Sequence, residues 1–427
     1  MDDRFFLSEI HRVLMPSTGC TEPVAIGLNT AIARKHAVGE LRHLTLTLDP
    51  YLYKNAMGVG IPGSDERGVA LCAAMGVTAG DPDARLRVFD HVSPEALQAA
   101  KQLLYDGLVT VKTRADVPGL FVESVLETDS DCVRVLTLDS HTHIAAIDHA
   151  PFAPYVPEAN ASDARQPICE TRLDEMVAFA DRVPLSELTF LQEGIDMNLA
   201  VADAGRQIGL GRALQQLIDQ KAIGRSPVSQ AQLLCAAASY ARMSGVSMPI
   251  MTATGSGNQG ITLLLTIEAV AQELQISQER KLRAAALANL VNIYVKSYTG
   301  TLSAVCACGV ASGLGASVGV VYMLGGREPE MLGAIQNILG SISGMICDGA
   351  KEGCANKVEL SAGLAVQSAF LAMNGAHIDQ HNGILGEDME SLFKNLGALV
   401  REGMAHTNQV IVDIMQGGYP CHDTTVL

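Results

Sequence analysis

Leu44, Leu46 and Leu48 alternate with Thr45 and Thr47, which is the period-two pattern of a strand with one buried face. The same reading places strands over Leu108–Lys112, Leu120–Leu126, Cys132–Leu138 and Thr142–Ile147, each bounded by Asp, Gly or Pro. A helix is expected over Pro94–Leu104, and an opening helix is expected to run on through Glu22–Arg34. Past about Leu185 the strand pattern almost vanishes. Long Ala/Leu/Met/Gly-rich stretches follow at Val228–Ser244, Glu279–Thr299 and Met331–Ile346, apolar enough all round to be buried helices. Gly309, Gly313, Gly315 and Gly319 offer no side chain there, so neighbouring helices are expected to approach closely. Prolines 151, 154, 157 and 167 mark a connector between the two halves. The expected class is α+β: an N-terminal α/β domain over residues 1–165, then a C-terminal all-helical domain with buried helices over 185–427.

Charge and composition narrow the function. Two stretches, Met243–Ile267 and Ser297–Gly326, carry no charge and are long enough to span a bilayer. Both are rich in Gly, Ser and Thr, and Gly255-Ser-Gly-Asn-Gln-Gly260 would strand polar backbone in lipid, so buried helices are the expectation and a membrane protein is not. A formal charge of −16 disfavours nucleic acid and anionic lipid as partners, which leaves a small molecule. Ten cysteines spread over 427 residues behind the acidic opening Met1-Asp2-Asp3-Arg4 fit a reducing cytoplasm, where cysteines serve metal, catalysis or plain packing.

Four of those cysteines cluster in sequence. Cys306 and Cys308 form Cys-x-Cys and Cys347 and Cys354 form Cys-x6-Cys, so none has the Cys-x2-Cys spacing common in zinc sites, and thiolates in this pattern favour iron. Cys20, in Pro16-Ser-Thr-Gly-Cys-Thr-Glu-Pro23, sits just before a helix that Pro23 can start, where a thiol loses its proton more readily; a buried inert cysteine is the plain alternative. Lys54 and Asn55 precede Gly58, Gly60 and Gly63 and are candidates to hold a carboxylate, against the commoner glycine turn with a surface lysine. Ser256, Gly257, Asn258 and Gln259 open the helix of Leu263–Leu265, and their backbone N–H groups suit an anion, as in phosphate loops of unrelated enzymes including those using pyridoxal phosphate. His141 and His143 are further candidates, although packing histidines are more frequent than catalytic ones. Cys72, Cys132, Cys169, Cys235 and Cys421 belong to no motif.

In combination, Gly19-Cys-Thr-Glu-Pro23, Lys54-Asn-Ala-Met-Gly58 with Pro62-Gly63, Ser256-Gly-Asn-Gln-Gly-Ile261, Leu302-Ser-Ala-Val-Cys306 and Gly344-Met-Ile-Cys-Asp-Gly-Ala350 resemble the L-cysteine desulfidase family and its bacterial relatives, kin to the iron–sulfur L-serine dehydratases. The resemblance spans nearly the whole chain. It implies a 4Fe-4S cluster on Cys306, Cys347 and Cys354, with Cys308 a lining residue, and Cys20 as base or as a cap on the fourth iron. It further implies Lys54, Asn55 and Ser256–Gln259 as substrate-binding residues, an amino-acid substrate, a homodimer, and a carbon–sulfur lyase that turns L-cysteine into sulfide, pyruvate and ammonia. The competing readings are an L-serine dehydratase on the same cluster, a pyridoxal phosphate lyase, and a noncatalytic metal-binding protein.

Overall fold

The computed structural model describes residues 2–18, 21–64, 66–117, 119–157, 166–300, 302–415 and 417. Cys20 and Cys421 lie outside these residues. Among them are seven strands: β1 (Met15–Thr18), β2 (Leu41–Leu48), β3 (Val109–Thr113), β4 (Phe121–Thr128), β5 (Cys132–Leu138), β6 (Ile144–His149) and β7 (Pro249–Thr252). β2 to β6 form one mixed sheet of order β3-β2-β4-β5-β6, in which only β2 and β3 run parallel. Leu44, Leu46 and Leu48 are fully buried on the sheet's inner face, as the alternation requires. The helices Thr21–His36 and Val69–Ala79 cover that face, sharing a core with Val122, Val133 and Val135.

The opening helix does not run on. It stops at Val13, and Leu14 turns extended, because a proline at 16 disfavours helical backbone at Met15. The next residues become β1, which pairs antiparallel with β7 across some 230 residues of chain, Met15 opposite Thr252 and Thr18 opposite Pro249. β7 is therefore a strand inside the stretch expected to be all helix, and Phe6, Ile10 and Val13 pack into the helical core rather than under the sheet. A second difference concerns Lys54 and Asn55. They stand on the helix Pro50–Met57 and not on a flexible turn; Asp49 caps this helix, its Oδ1 accepting from the Tyr51 and Leu52 N–H groups at 2.9 Å each, and Pro50 presets the first turn.

From Leu173 the described chain is helical apart from β7, short turns and three longer irregular segments, before Val310, before Cys354 and before Met389. The helix Gly257–Leu274 is buried from Gly257 through Ala271, enclosed by Pro227–Met243, Gln278–Thr299 and Val310–Leu324. Glycines make that closeness possible. A β-carbon on Gly315 would lie 2.4 Å from the Ala288 carbonyl oxygen, and one on Gly313 would lie 2.4 Å from the Ser361 hydroxyl. Among the described residues no helix is long and apolar enough to cross a membrane.

Candidate functional site

Two segments with no regular secondary structure carry the clustered cysteines, and backbone hydrogen bonds hold them together. The Cys306 N–H donates to the Met345 carbonyl at 2.8 Å and the Cys347 N–H to the Ala304 carbonyl at 2.7 Å, with Val305 bridged to Ile346. Cys354 lies at the start of the helix Cys354–Met373, its thiol directed at the Gly349 carbonyl oxygen at 3.5 Å. Cys306, Cys308, Cys347 and Cys354 all line one cavity of about 80 Å³, together with Glu22, Asn55, His141, Arg242 and, from the glycine turn, Thr254, Gly255, Ser256, Asn258 and Gln259 but not Gly257. The structure thus brings Cys306, Cys347, Cys354, Asn55, Ser256, Asn258 and Gln259 to one place.

Lys54 has a different position. Its stem is buried, and its Nζ donates to the Cys347 carbonyl at 2.5 Å and to Asn408 Oδ1 at 2.7 Å. From the same helix the Lys54 carbonyl sits where a β-carbon on Gly349 would come within 2.4 Å, and Gly349 has φ +92°. The lysine is a strut between its own helix, the Cys347 segment and the helix Thr407–Met415. Only glycine lets that segment lie so close. Asn55 does face the cavity, accepting weakly from Cys347 Sγ at 3.8 Å and donating to Glu22 Oε1 at 3.1 Å.

The glycine turn is built from the rear. A β-carbon on Gly260 would meet the Met251 carbonyl oxygen at 2.0 Å, so the new helix starts hard against β7. A β-carbon on Gly257 would lie 2.4 Å from Arg242 Nε, which shows how closely the guanidinium passes behind the loop; Arg242 also donates to Asn258 Oδ1 at 3.2 Å. Gln259 accepts from Thr254 at 2.6 Å and from Asn292 at 3.3 Å, and Ser256 Oγ lies 3.3 Å from Cys308 Sγ.

Electrostatics follow from burial. The Cys306 thiol is pushed well up, first by its hydrogen bond with Cys308 and then by burial, while burial and neighbouring thiols push Cys347 up and Cys354 to about 12. The helix start at Cys354 does not overcome this, since desolvation of a thiolate outweighs the partial charge of a helix end. Left to the protein alone these thiols keep their protons, and a metal that binds thiolate would displace them. Cations surround the group. Burial lowers Lys54 from its ordinary value and brings Lys296 down to about 8, against the opposing pull of the same thiols. Asp348, held at about 2 by Lys351 and Lys357 despite partial burial, anchors both lysines beside the cavity.

Among the described residues no three His, Cys, Asp or Glu side chains converge closely enough to hold a single metal ion. An iron–sulfur cube keeps its thiolate ligands farther apart than one ion does, and four thiols around one cavity with lysines behind them suit a negatively charged cluster–thiolate unit. The donor set fits such a cluster.

The family model of the serine dehydratase alpha chain matches residues 83–413. The chain belongs to this family. It is 37% identical to a UPF0597 protein of Desulfatibacillum aliphaticivorans over 94% of this chain and 95% of that protein. It is 35% identical to one of Alkaliphilus metalliredigens, over 96% and 94%, and 36% identical to one of Aeromonas hydrophila, over 96% and 95%. Reading by motif did not assign Glu22, Arg242 or Lys296 to the site. The signal was available: Arg242 is the only charge in the helix Pro227–Met243, and Lys296 the only one in its helix after Arg283. A lone charge on a buried stretch of helix must find a polar place to end.

Proposed function

We propose that this serine dehydratase family member is an iron–sulfur-dependent lyase that eliminates the β-substituent of a small L-amino acid, releasing 2-aminoacrylate, which hydrolyses to pyruvate and ammonia. The observation that carries the reading is the single cavity where Cys306, Cys347 and Cys354 meet Asn55 and the Ser256–Gln259 turn. The proposed cluster is 4Fe-4S, held by those three cysteines, with Cys308 lining it beside Ser256. When bound, a cluster with one iron free of protein ligands supplies a Lewis acid for the leaving group.

The chain's own residues do the rest. Backbone N–H groups at the start of the helix Gly257–Leu274 and the Arg242 guanidinium behind them favour the substrate carboxylate. Asn55 sits within reach of both the thiols and Glu22, where it orients the amino group. Lys54 acts on the substrate only through the Cys347 segment that it supports. Cys20 is the proposed catalytic cysteine, next in sequence to Thr21, whose hydroxyl donates to the Gly255 carbonyl at 2.9 Å.

L-Cysteine is the substrate that the motif resemblance favours. The family match favours L-serine, which uses the same cavity and the same proton removal. Protein reconstituted with iron and sulfide without oxygen should release pyruvate from one of the two. Sulfide released in step with pyruvate from L-cysteine, at a higher kcat/KM than for L-serine, identifies a desulfidase; the reverse ratio identifies a serine dehydratase. Reconstituted protein with full iron that releases pyruvate from neither would end the lyase reading.

A further inference from the structure

His141 lies on the β5–β6 hairpin turn, between exposed Ser140 and partly exposed Thr142, yet the residue is only 8% exposed. The imidazole folds inward against the glycine turn: a β-carbon on Gly255 would lie 3.4 Å from its Cε1. Its Nε2 is shut off from solvent and has no hydrogen-bond partner among the described residues. A buried polar nitrogen left unpaired is destabilising, and a hairpin turn has the simple remedy of pointing the ring outward. Here the ring points inward and lines two cavities: the one that holds the thiols, and a second of about 400 Å³ that reaches Lys296 and Arg12.

We propose that His141 is the general base that removes the substrate's α-proton. This rests on the elimination reading above and assigns proton removal to the histidine that lines the cavity in place of Cys20. The step balances: the Cα–H proton passes to the imidazole nitrogen, the Cα–H electron pair becomes the Cα=Cβ bond, and the Cβ–S or Cβ–O bond breaks with its electrons on the leaving group. The histidine then gives its proton to solvent or to the departed sulfide or hydroxide. Burial lowers the pKa of His141, which keeps the ring neutral and able to accept, while Glu22, the charged neighbour that pulls the other way, stabilises the imidazolium formed. Glu22 is itself fixed by the Asn55 amide, which donates to its Oε1 at 3.1 Å, so base, countercharge and the residue orienting the amino group form one connected unit.

The test compares wild type, His141→Asn, His141→Gln and Cys20→Ser, each reconstituted anaerobically and assayed with L-cysteine and L-serine. Iron per chain in the His141 variants should equal wild type. Their kcat should fall by roughly 10²–10⁴-fold, with KM changed by less than about threefold and part of the rate restored by added imidazole. Two variants are made because either alone can misfold; matching iron content and unfolding temperature identify the sound one. A His141 variant with full iron and kcat within threefold of wild type would overturn the proposal. So would a loss confined to KM, or the loss and imidazole rescue appearing only at Cys20. Wild-type protein with full iron that turns over neither amino acid would instead sink the elimination reading, and this role with it.

Discussion

Serine in place of Cys306, Cys347 or Cys354 removes one of three thiolates from the proposed cluster, and each change should take iron from about four atoms per chain to near zero. Cys308→Ser should keep its iron, because its sulfur faces the Ser256 hydroxyl at 3.3 Å and an oxygen there keeps that contact. Iron analysis of the four variants checks this, and loss at Cys308 with retention at Cys306 would exchange their roles. Asp49 offers a test outside the cavity. Burial raises its pKa to about 6 although three backbone N–H groups donate to it, so the folded protein holds that proton more tightly than the unfolded chain. The stability it contributes is full below the ordinary value of 3.8 and is lost as pH rises through about 6. Urea unfolding at pH 4 and pH 7 should therefore show the advantage of wild type over Asp49→Asn shrinking by about 2 kcal/mol as pH rises. A gap that stays constant or widens would contradict the burial argument.

Lys54 shows what periodicity reveals about an element and what it conceals. The alternating leucines of β2 and the long apolar helices were legible because one buried face leaves a repeating mark on the chain. The helix Pro50–Met57 left little mark: it is eight residues long, ends at Gly58 and buries a lysine, so a glycine turn was the natural reading. The break at Leu14 and the β1–β7 pair were hidden for another reason. A partner some 230 residues away decides that pairing, and no local pattern records it. Lys54→Met would leave the Cys347 carbonyl and Asn408 Oδ1 without their donor. The variant should fold with a stability loss of about 1–3 kcal/mol. Its iron affinity or activity should fall by roughly 10–100-fold, as expected for a residue that orients a metal-binding segment. Unfolding curves and iron titration separate the two effects, and unchanged iron affinity would remove the strut from the account.

Across the whole molecule, the cavity is where the helices that cover the sheet meet the helical core. Glu22 comes from Thr21–His36 and Asn55 from Pro50–Met57, which packs into the same core as the sheet, and the glycine turn and cysteine segments come from the helical half. The cysteine pattern and the glycine turn were visible in the sequence as separate motifs, and the structure gathers them through contacts that spacing does not encode: the β1–β7 pair, the Val305–Ile346 bridge and the Lys54 strut. A cluster that binds only the folded arrangement must stabilise it by mass action. Reconstituted protein should therefore melt several degrees above the same protein stripped by a chelator, a difference that calorimetry would read; equal melting temperatures would mean that the cysteine segments do not depend on metal. Iron and acid-labile sulfide should each be counted per chain in protein purified and reconstituted without oxygen. About four of each is the expected result, and iron-free protein after that treatment would contradict the account.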